Sequence, residues 1–213
     1  MSLHRNTYWI GGSPCSGKST IAEKLVKDFG FTYYKCDDHL ERYMKLGATM
    51  GKPTIGKMAT LSIDETWLRP VAEQVEDEFK FYEEAFEIVM NDIDKLPSSA
   101  GLVVEGAALL PQNMASIKIS KENYICIVPS AEFQVEKYKE RPWVSHYLRE
   151  CSDSQTAFSN WMQRDIRFAE IANQTAAQLG YKVTVTDGKS SIDKMYKNVL
   201  KHFNLQKTFT QGD

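Results

Sequence analysis

Cysteine is scarce in this chain: four residues in all, with no C-x-x-C pair among them. Cys15, Cys36, Cys126 and Cys151 are too scattered to suggest a zinc site or a disulfide framework, so a reducing cytoplasm is the expected setting. Long apolar runs are also missing. No stretch approaches the roughly 20 apolar residues of a membrane helix, and residues 1–5 hold no apolar signal core. No membrane partner is therefore expected. Neither charge sign dominates. The net charge of −2 offers no basic face for nucleic acid and no pull toward an acidic bilayer. The chain also lacks an Asn-Lys-x-Asp run and an apolar strand ending in D-x-x-G, which excludes a guanine-nucleotide switch. It shows no internal repeat and no low-complexity tract.

What remains suits one globular domain. With 42% hydrophobic residues over 213 positions, the chain can bury a sizeable core. The most specific stretch is Gly12-Ser13-Pro14-Cys15-Ser16-Gly17-Lys18-Ser19, which fits G-x-x-x-x-G-K-[ST] at every fixed position. Residues 7–10 before it are β-branched and aromatic, as a buried strand requires. Residues 19–29 after it place Ile21, Ala22, Leu25, Val26 and Phe29 on one helical face. Phosphate chemistry explains the spacing. Gly12 and Gly17 permit backbone conformations that turn successive N–H groups inward as an anion nest. The positive end of the following helix adds to that field. Lys18 supplies a mobile charge for β- and γ-phosphates, and the Ser19 hydroxyl can ligate Mg²⁺. The nucleotide-binding set is then Gly12, Ser13, Cys15, Ser16, Gly17, Lys18, Ser19 and Thr20.

Further along, strands are expected at 31–36, 101–104, 124–128 and 181–186. Helices are expected at 39–46, 62–68, from Pro70 to about Leu96, and at 131–141, 156–179 and 192–203. The glycines and Pro53 of 47–61 read as a mobile loop, and 142–155 reads as a polar segment after a Pro142-Trp143 break. The helix after Pro70 is expected to stop before residues 97–99, and the tail after Leu205 to fray. Strands that alternate with helices predict a parallel sheet covered on both faces. Right-handed crossovers then gather the carboxyl ends of all strands on one edge, where ligands bind in such folds.

Several side chains at that edge carry candidate chemistry. Asp37 ends the second strand and is placed to accept the proton of a hydroxyl during phosphoryl transfer, with adjacent Asp38 as the alternative. Glu105 ends the third strand and could hold Mg²⁺ through water or bind an acceptor hydroxyl. Arg141 and Arg149 bracket the polar segment, and Arg164 with Arg167 stand i, i+3 on the next helix. Together they suggest a lid that brings guanidinium forks to the phosphates. Arg42, Trp67 and Arg69 are candidates for recognising an anionic or ring-bearing acceptor. His39, His146 and His202 have no partner at ligand spacing and are assigned no chemistry.

In these features the chain resembles the small-molecule kinases of the P-loop fold, the nucleoside-monophosphate kinase-like group that includes shikimate, gluconate and chloramphenicol kinases. The matching parts are Gly12 to Thr20, Cys36-Asp37-Asp38, Val103-Val104-Glu105-Gly106, an arginine-bearing lid, and Thr186-Asp187-Gly188. The resemblance implies a three-layer α/β/α P-loop fold with a five-stranded parallel sheet of order 2-3-1-4-5 and a helical lid. It implies one kinase domain over 1–213, with an acceptor-side insertion at 47–70 and a lid at 142–155. It further implies ATP and Mg²⁺ as cofactors, and transfer of the γ-phosphoryl to a hydroxyl of a small metabolite or antibiotic. Asp37 then handles the acceptor, with Asp38, Arg42 and Glu105 beside it. Lys18, a lid arginine (Arg149 or Arg141), Arg164 and Arg167 serve the phosphates, and the turn from Asp187 to Ser190 lies along adenine. Where shikimate-type kinases carry a second acid two positions before the acceptor-binding one, this chain has Lys35, so the metal rests on Ser19 and water. The alternative is a nucleotide-binding regulatory protein with little turnover. It predicts loss of the strand-end acid or the lid arginines, and both are present. Monomer and dimer are both compatible with the sequence.

Overall fold

In the computed structural model of the chain, residues 6–96 and 101–206 are described. Residues 1–5, the expected helix stop at 97–99 and the end of the tail at 207–213 lie outside them. Five strands are present among these residues: β1 (Thr7–Gly12), β2 (Thr32–Lys35), β3 (Leu102–Glu105), β4 (Tyr124–Pro129) and β5 (Lys182–Thr186). All pair in parallel, in the order β2-β3-β1-β4-β5. Around them run α1 (Lys18–Phe29), α2 (Leu40–Thr49), α3 (Pro53–Met58), α4 (Ile63–Trp67) and α5 (Val71–Ile93). They are followed by α6 (Pro111–Ser116), α7 (Ala131–Lys139), α8 (Pro142–Leu148), α9 (Ser154–Gln178) and α10 (Ile192–His202). This is a three-layer α/β/α P-loop fold. No described helix is long and apolar enough to cross a membrane.

The strand alternation sorts the core into two layers. Ile10, Val103, Ile125 and Ile127 point to one face, where α1 and α10 deliver Ile21, Leu25, Met195 and Val199. Trp9, Val104, Tyr124, Cys126 and Val128 point to the other, against α5 and α9. The near-continuous apolar character of the central strands follows from burial on both faces. A third, smaller cluster joins Trp67, Tyr138, Val144, Leu148 and Trp161 above the P-loop side.

Three stretches depart from the sequence reading. The expected mobile loop at 47–61 is instead the end of α2 and the whole of α3, folded down on α5. The Glu84 carboxylate accepts the backbone N–H groups of Thr54 and Ile55 at 2.9 and 2.8 Å, which caps α3 from a distant helix. Gly47 sits in α2 where a side chain would collide with the fully buried Ile55. The stretch between Gly106 and the fourth strand holds α6, with Pro111 at its first turn. The polar segment at 142–155 contains α8, whose Val144 and Leu148 are buried. Pro142 starts a packed helix there rather than only ending the one before it. The capping box at Ser62 and Glu65 opens α4 as expected, and α5 buries Val75, Tyr82, Phe86, Val89 and Ile93. On α9 the inward face is carried by Ala157, Trp161, Phe168 and Ala172, while Leu179, just past its end, is exposed.

Candidate active site

The parallel register aligns the carboxyl ends of the strands. Ile10 pairs with Glu105, Lys35 with Glu105, Gly12 with Ile127, and Pro129 with Thr186. The P-loop leaves β1 at that edge. Gly12 has φ +126°, and a Cβ there would collide with the Ile127 carbonyl. Gly17, at φ +84°, forms the N-cap of α1 without any side-chain cap, so the first N–H groups of the helix stay open to a ligand. Cys15 between them also adopts a left-handed conformation, at φ 63°. From above, α7 holds the loop: Gln134 donates to the Ser13 hydroxyl and the Pro14 carbonyl, both at 3.1 Å.

A cleft of about 560 Å³ lies over this loop. Cys15, Ser16, Gly17, Lys18, Ser19 and Thr20 line its floor, and Asp37 stands on its wall. Gly12 and Ser13 lie beneath the loop and shape it without lining the cleft. Lys18 donates to the Ser13 carbonyl at 2.9 Å and stands 3.6 Å from Glu105. Glu105 is fully buried, and one of its oxygens has no hydrogen-bond donor. Burial raises its carboxyl above the usual range, and the charge of Asp37 pushes the same way. Lys18 and the hydroxyls of Tyr33 and Ser19 pull it back. Glu105 and Ser19 therefore share one corner with the lysine that would meet a phosphate.

The two adjacent acids separate cleanly. Asp37 lines the phosphate cleft, whereas Asp38 turns outward to Lys35 at 3.2 Å. The arginines do not gather as the lid reading expects. Arg164 is buried between Glu78 and Asp165, at 2.9 and 2.7 Å, with its guanidinium 4.7 Å from the Trp67 ring. Arg167 is exposed and pairs with Glu170 one turn away. Arg149 follows α8 in solvent. None of the three lines the phosphate cleft: α9 turns Arg164 toward α5 and Arg167 toward solvent, and Arg149 lies past the end of α8. Arg42, expected on the acceptor, forks onto Asp92 instead. Asp187 accepts the Lys189 N–H at 3.0 Å and builds the turn, while its neighbours Thr186, Gly188 and Ser190 line the cleft.

Besides Lys18, the cations that line it are Lys137, which pairs with Glu140 at 2.6 Å, and Arg141. Arg141 precedes α8, and its guanidinium lies 5.1 Å from the Tyr138 ring and 5.9 Å from Trp143. No described carboxylate pairs with it. Phe133, Ile192 and Met195 add an apolar wall opposite. Arg141 is one of the arginines the sequence places at the lid, whereas Lys137, on the last turn of α7, carries no signal that sets it apart from its neighbours. Replacing Arg141 with Ala should raise the KM for nucleotide about tenfold, as loss of one charge-assisted contact does. Arg149→Ala should leave it within about twofold, as for an exposed charge. Steady-state kinetics on both variants checks this, and equal effects would erase the distinction.

A scan of protein-family models finds no match for this chain, and a search of curated proteins finds none either. Among solved structures it is similar to TT1252 from Thermus thermophilus, at 15% identity and a TM-score of 0.51. The likeness spans 93% of this chain and 97% of that one. It also aligns with shikimate kinase from Acinetobacter baumannii in complex with shikimate, at 15% identity and a TM-score of 0.49 over 92% and 91% of the two chains. The property shared with TT1252 is the fold.

Proposed function

We propose that this protein is an ATP-dependent phosphotransferase that moves the γ-phosphoryl group to a hydroxyl of a small metabolite or antibiotic. One observation carries the reading: Asp37 shares a single cleft with Lys18 and Ser19. A carboxylate at such a site either holds Mg²⁺ or takes a proton from a second substrate; Glu105, beside Lys18 and Ser19, suits the metal, which leaves Asp37 for the acceptor.

In this reading the P-loop amides and Lys18 hold the β- and γ-phosphates. Arg141 and Lys137 face the equatorial oxygens of the group in transit. Phe133, Ile192 and Met195 offer an apolar surface to the base. The acceptor hydroxyl forms its bond to the γ-phosphorus as the bond to the β–γ bridging oxygen breaks. Its proton passes to Asp37, and ADP leaves. No described cluster of three acidic, histidine or cysteine side chains could hold a metal unaided. Ser19, with Glu105 through water, fits Mg²⁺ shared with the nucleotide, and bound there Mg²⁺ would spread the phosphate charge. In the same reading residues 47–70 are the acceptor-side insertion and 142–155 the lid, with Arg141 immediately before the lid reaching the cleft. The single kinase domain works in the cytoplasm, on a nucleotide and a small acceptor, without nucleic acid.

The test is transfer from γ-labelled ATP to a panel of hydroxyl compounds, with the products separated from released phosphate. Labelled acceptor is the expected result. Tight ATP binding with no transfer to any acceptor would leave a nucleotide-binding regulator instead.

A further inference from the structure

Glu105 divides its two carboxylate oxygens between different neighbours. Oε2 accepts the Tyr33 hydroxyl at 3.1 Å. Oε1 stands 3.6 Å from the Lys18 amine and has no hydrogen-bond donor, although the residue is fully buried. A buried acceptor left open costs free energy unless a ligand or a water supplies the missing donor. Lys18 is already engaged, since it donates to the Ser13 carbonyl at 2.9 Å. The open oxygen therefore lies in the corner where Lys18 and Ser19 would meet a phosphate and its metal.

The strand register puts Tyr33 in reach of this acid. Lys35 of β2 pairs with Glu105 of β3, and Tyr33 pairs with Val103. Alternate residues of a strand share a face, so all four lie on the α1 side of the sheet. Tyr33 stands diagonally from Glu105, across a gap that a long aromatic side chain spans. Its ring packs in the α1 layer, and only its hydroxyl reaches the acid. Lys35, on the same face, turns instead to Asp38 at 3.2 Å. Packing does not account for the hydroxyl, because phenylalanine would fill the same space. Orientation does. The last torsion of a glutamate side chain is broad and nearly two-fold, so an unheld carboxylate presents either oxygen over a wide arc. The phenol holds one oxygen and thereby fixes the other beside Lys18. Tyr33 itself does not line the cleft.

Resting on the nucleotide and Mg²⁺ part of the kinase reading, we propose that Tyr33 is a positioning residue: its hydroxyl fixes Glu105 so that the open oxygen receives a water of nucleotide-bound Mg²⁺. The test uses the full chain and the β,γ-imido analogue of ATP, with binding measured by calorimetry in EDTA and over a Mg²⁺ series. Tyr33→Phe should weaken Mg²⁺ binding to the nucleotide complex by about tenfold or more, as loss of a group that orients a metal site does. Affinity for the metal-free analogue should stay within about twofold, because Tyr33 touches no phosphate position. A packing role would lower Tm and leave the Mg²⁺ dependence as in wild type, and that result overturns the proposal. Failure of Tyr33→Phe to fold also overturns it, since the hydroxyl would then be a requirement of the fold. A double-mutant cycle supplies the second measurement. In a Glu105→Gln background, Tyr33→Phe should alter Mg²⁺ affinity by less than about twofold, and a further tenfold loss there would mean that the hydroxyl does not act through Glu105. The kinase reading fails separately. Absent transfer by the wild-type chain, with the Mg²⁺ loss still seen in Tyr33→Phe, would sink that reading and keep the role of Tyr33 in a nucleotide-binding protein.

Discussion

Replacing Lys18 with Ala should abolish turnover, with a fall of at least about 1,000-fold, the upper range for removing a preorganised charge from a phosphoryl-transfer site. The reason is where the amine is held. It is buried to 5% exposure, donates to Ser13 on the loop and faces Glu105 across 3.6 Å. No other described lysine lines the floor of the cleft, since Lys137 stands on the far wall in α7. The variant has a second effect that separates it from simple misfolding. Lys18 lowers the Glu105 carboxyl, so its loss lets burial raise that group further. A carboxyl raised in the folded state holds its proton where the unfolded chain has lost it. Its stabilising share is therefore present below the unfolded value and lost as pH rises through the folded one. Lys18→Ala should thus unfold at a lower temperature as pH rises above the ordinary carboxylate range, more steeply than wild type. Adding Glu105→Gln should remove that slope without restoring nucleotide binding. Thermal unfolding across pH, with and without ATP, measures both parts. A retained ATP-induced rise in Tm for Lys18→Ala would sink the role given to the lysine.

The phosphate half of this site was legible because its signals are local. Glycine spacing, a strand before and an amphipathic helix after suffice to place Gly12 to Thr20, and the alternation of strands with helices gives a parallel sheet, while its order 2-3-1-4-5 follows from the resemblance. The helices that escaped notice depend on distant partners. α3 takes its N-terminal cap from Glu84 on α5, so 47–61 looks like a glycine-rich loop when read alone. α8 is marked only by Pro142, which reads equally as a break or a start. The arginines show the same limit. A guanidinium in sequence is a free cation, and only the fold reveals that Asp92, Asp77 and Glu78 have closed on Arg42, Arg69 and Arg164. Spacing placed Arg164 and Arg167 on adjoining parts of one helical face, but the cleft lies elsewhere. Arg141 reaches it by lying at the junction of two helices, a position that periodicity does not register.

Asp37→Asn should lower phosphoryl transfer by at least about 100-fold, the usual cost of losing a general base, while ATP still binds. Asparagine keeps the size and the 3₁₀ turn that Asp37 shares with Cys36, so packing is spared. It removes both the proton acceptor and a negative charge. That charge raises Glu105 and Glu78, so its loss should ease phosphate binding slightly rather than weaken it. KM for ATP is then expected to hold or fall while kcat collapses, a split that a damaged fold would not produce. Asp38→Asn is the matched control. Asp38 faces solvent beside Lys35, and an exposed pair of that kind contributes little, so transfer should stay within about threefold of wild type. The two variants differ by one position and by nothing else in chemistry. Equal rates for Asp37→Asn and wild type would move the proton to Glu105, the remaining carboxylate beside Lys18. A collapse in Asp38→Asn alone would mean that the strand end turns over when substrate binds. Single-turnover measurement with saturating ATP distinguishes these results from slow product release, because only a chemical defect removes the first turnover.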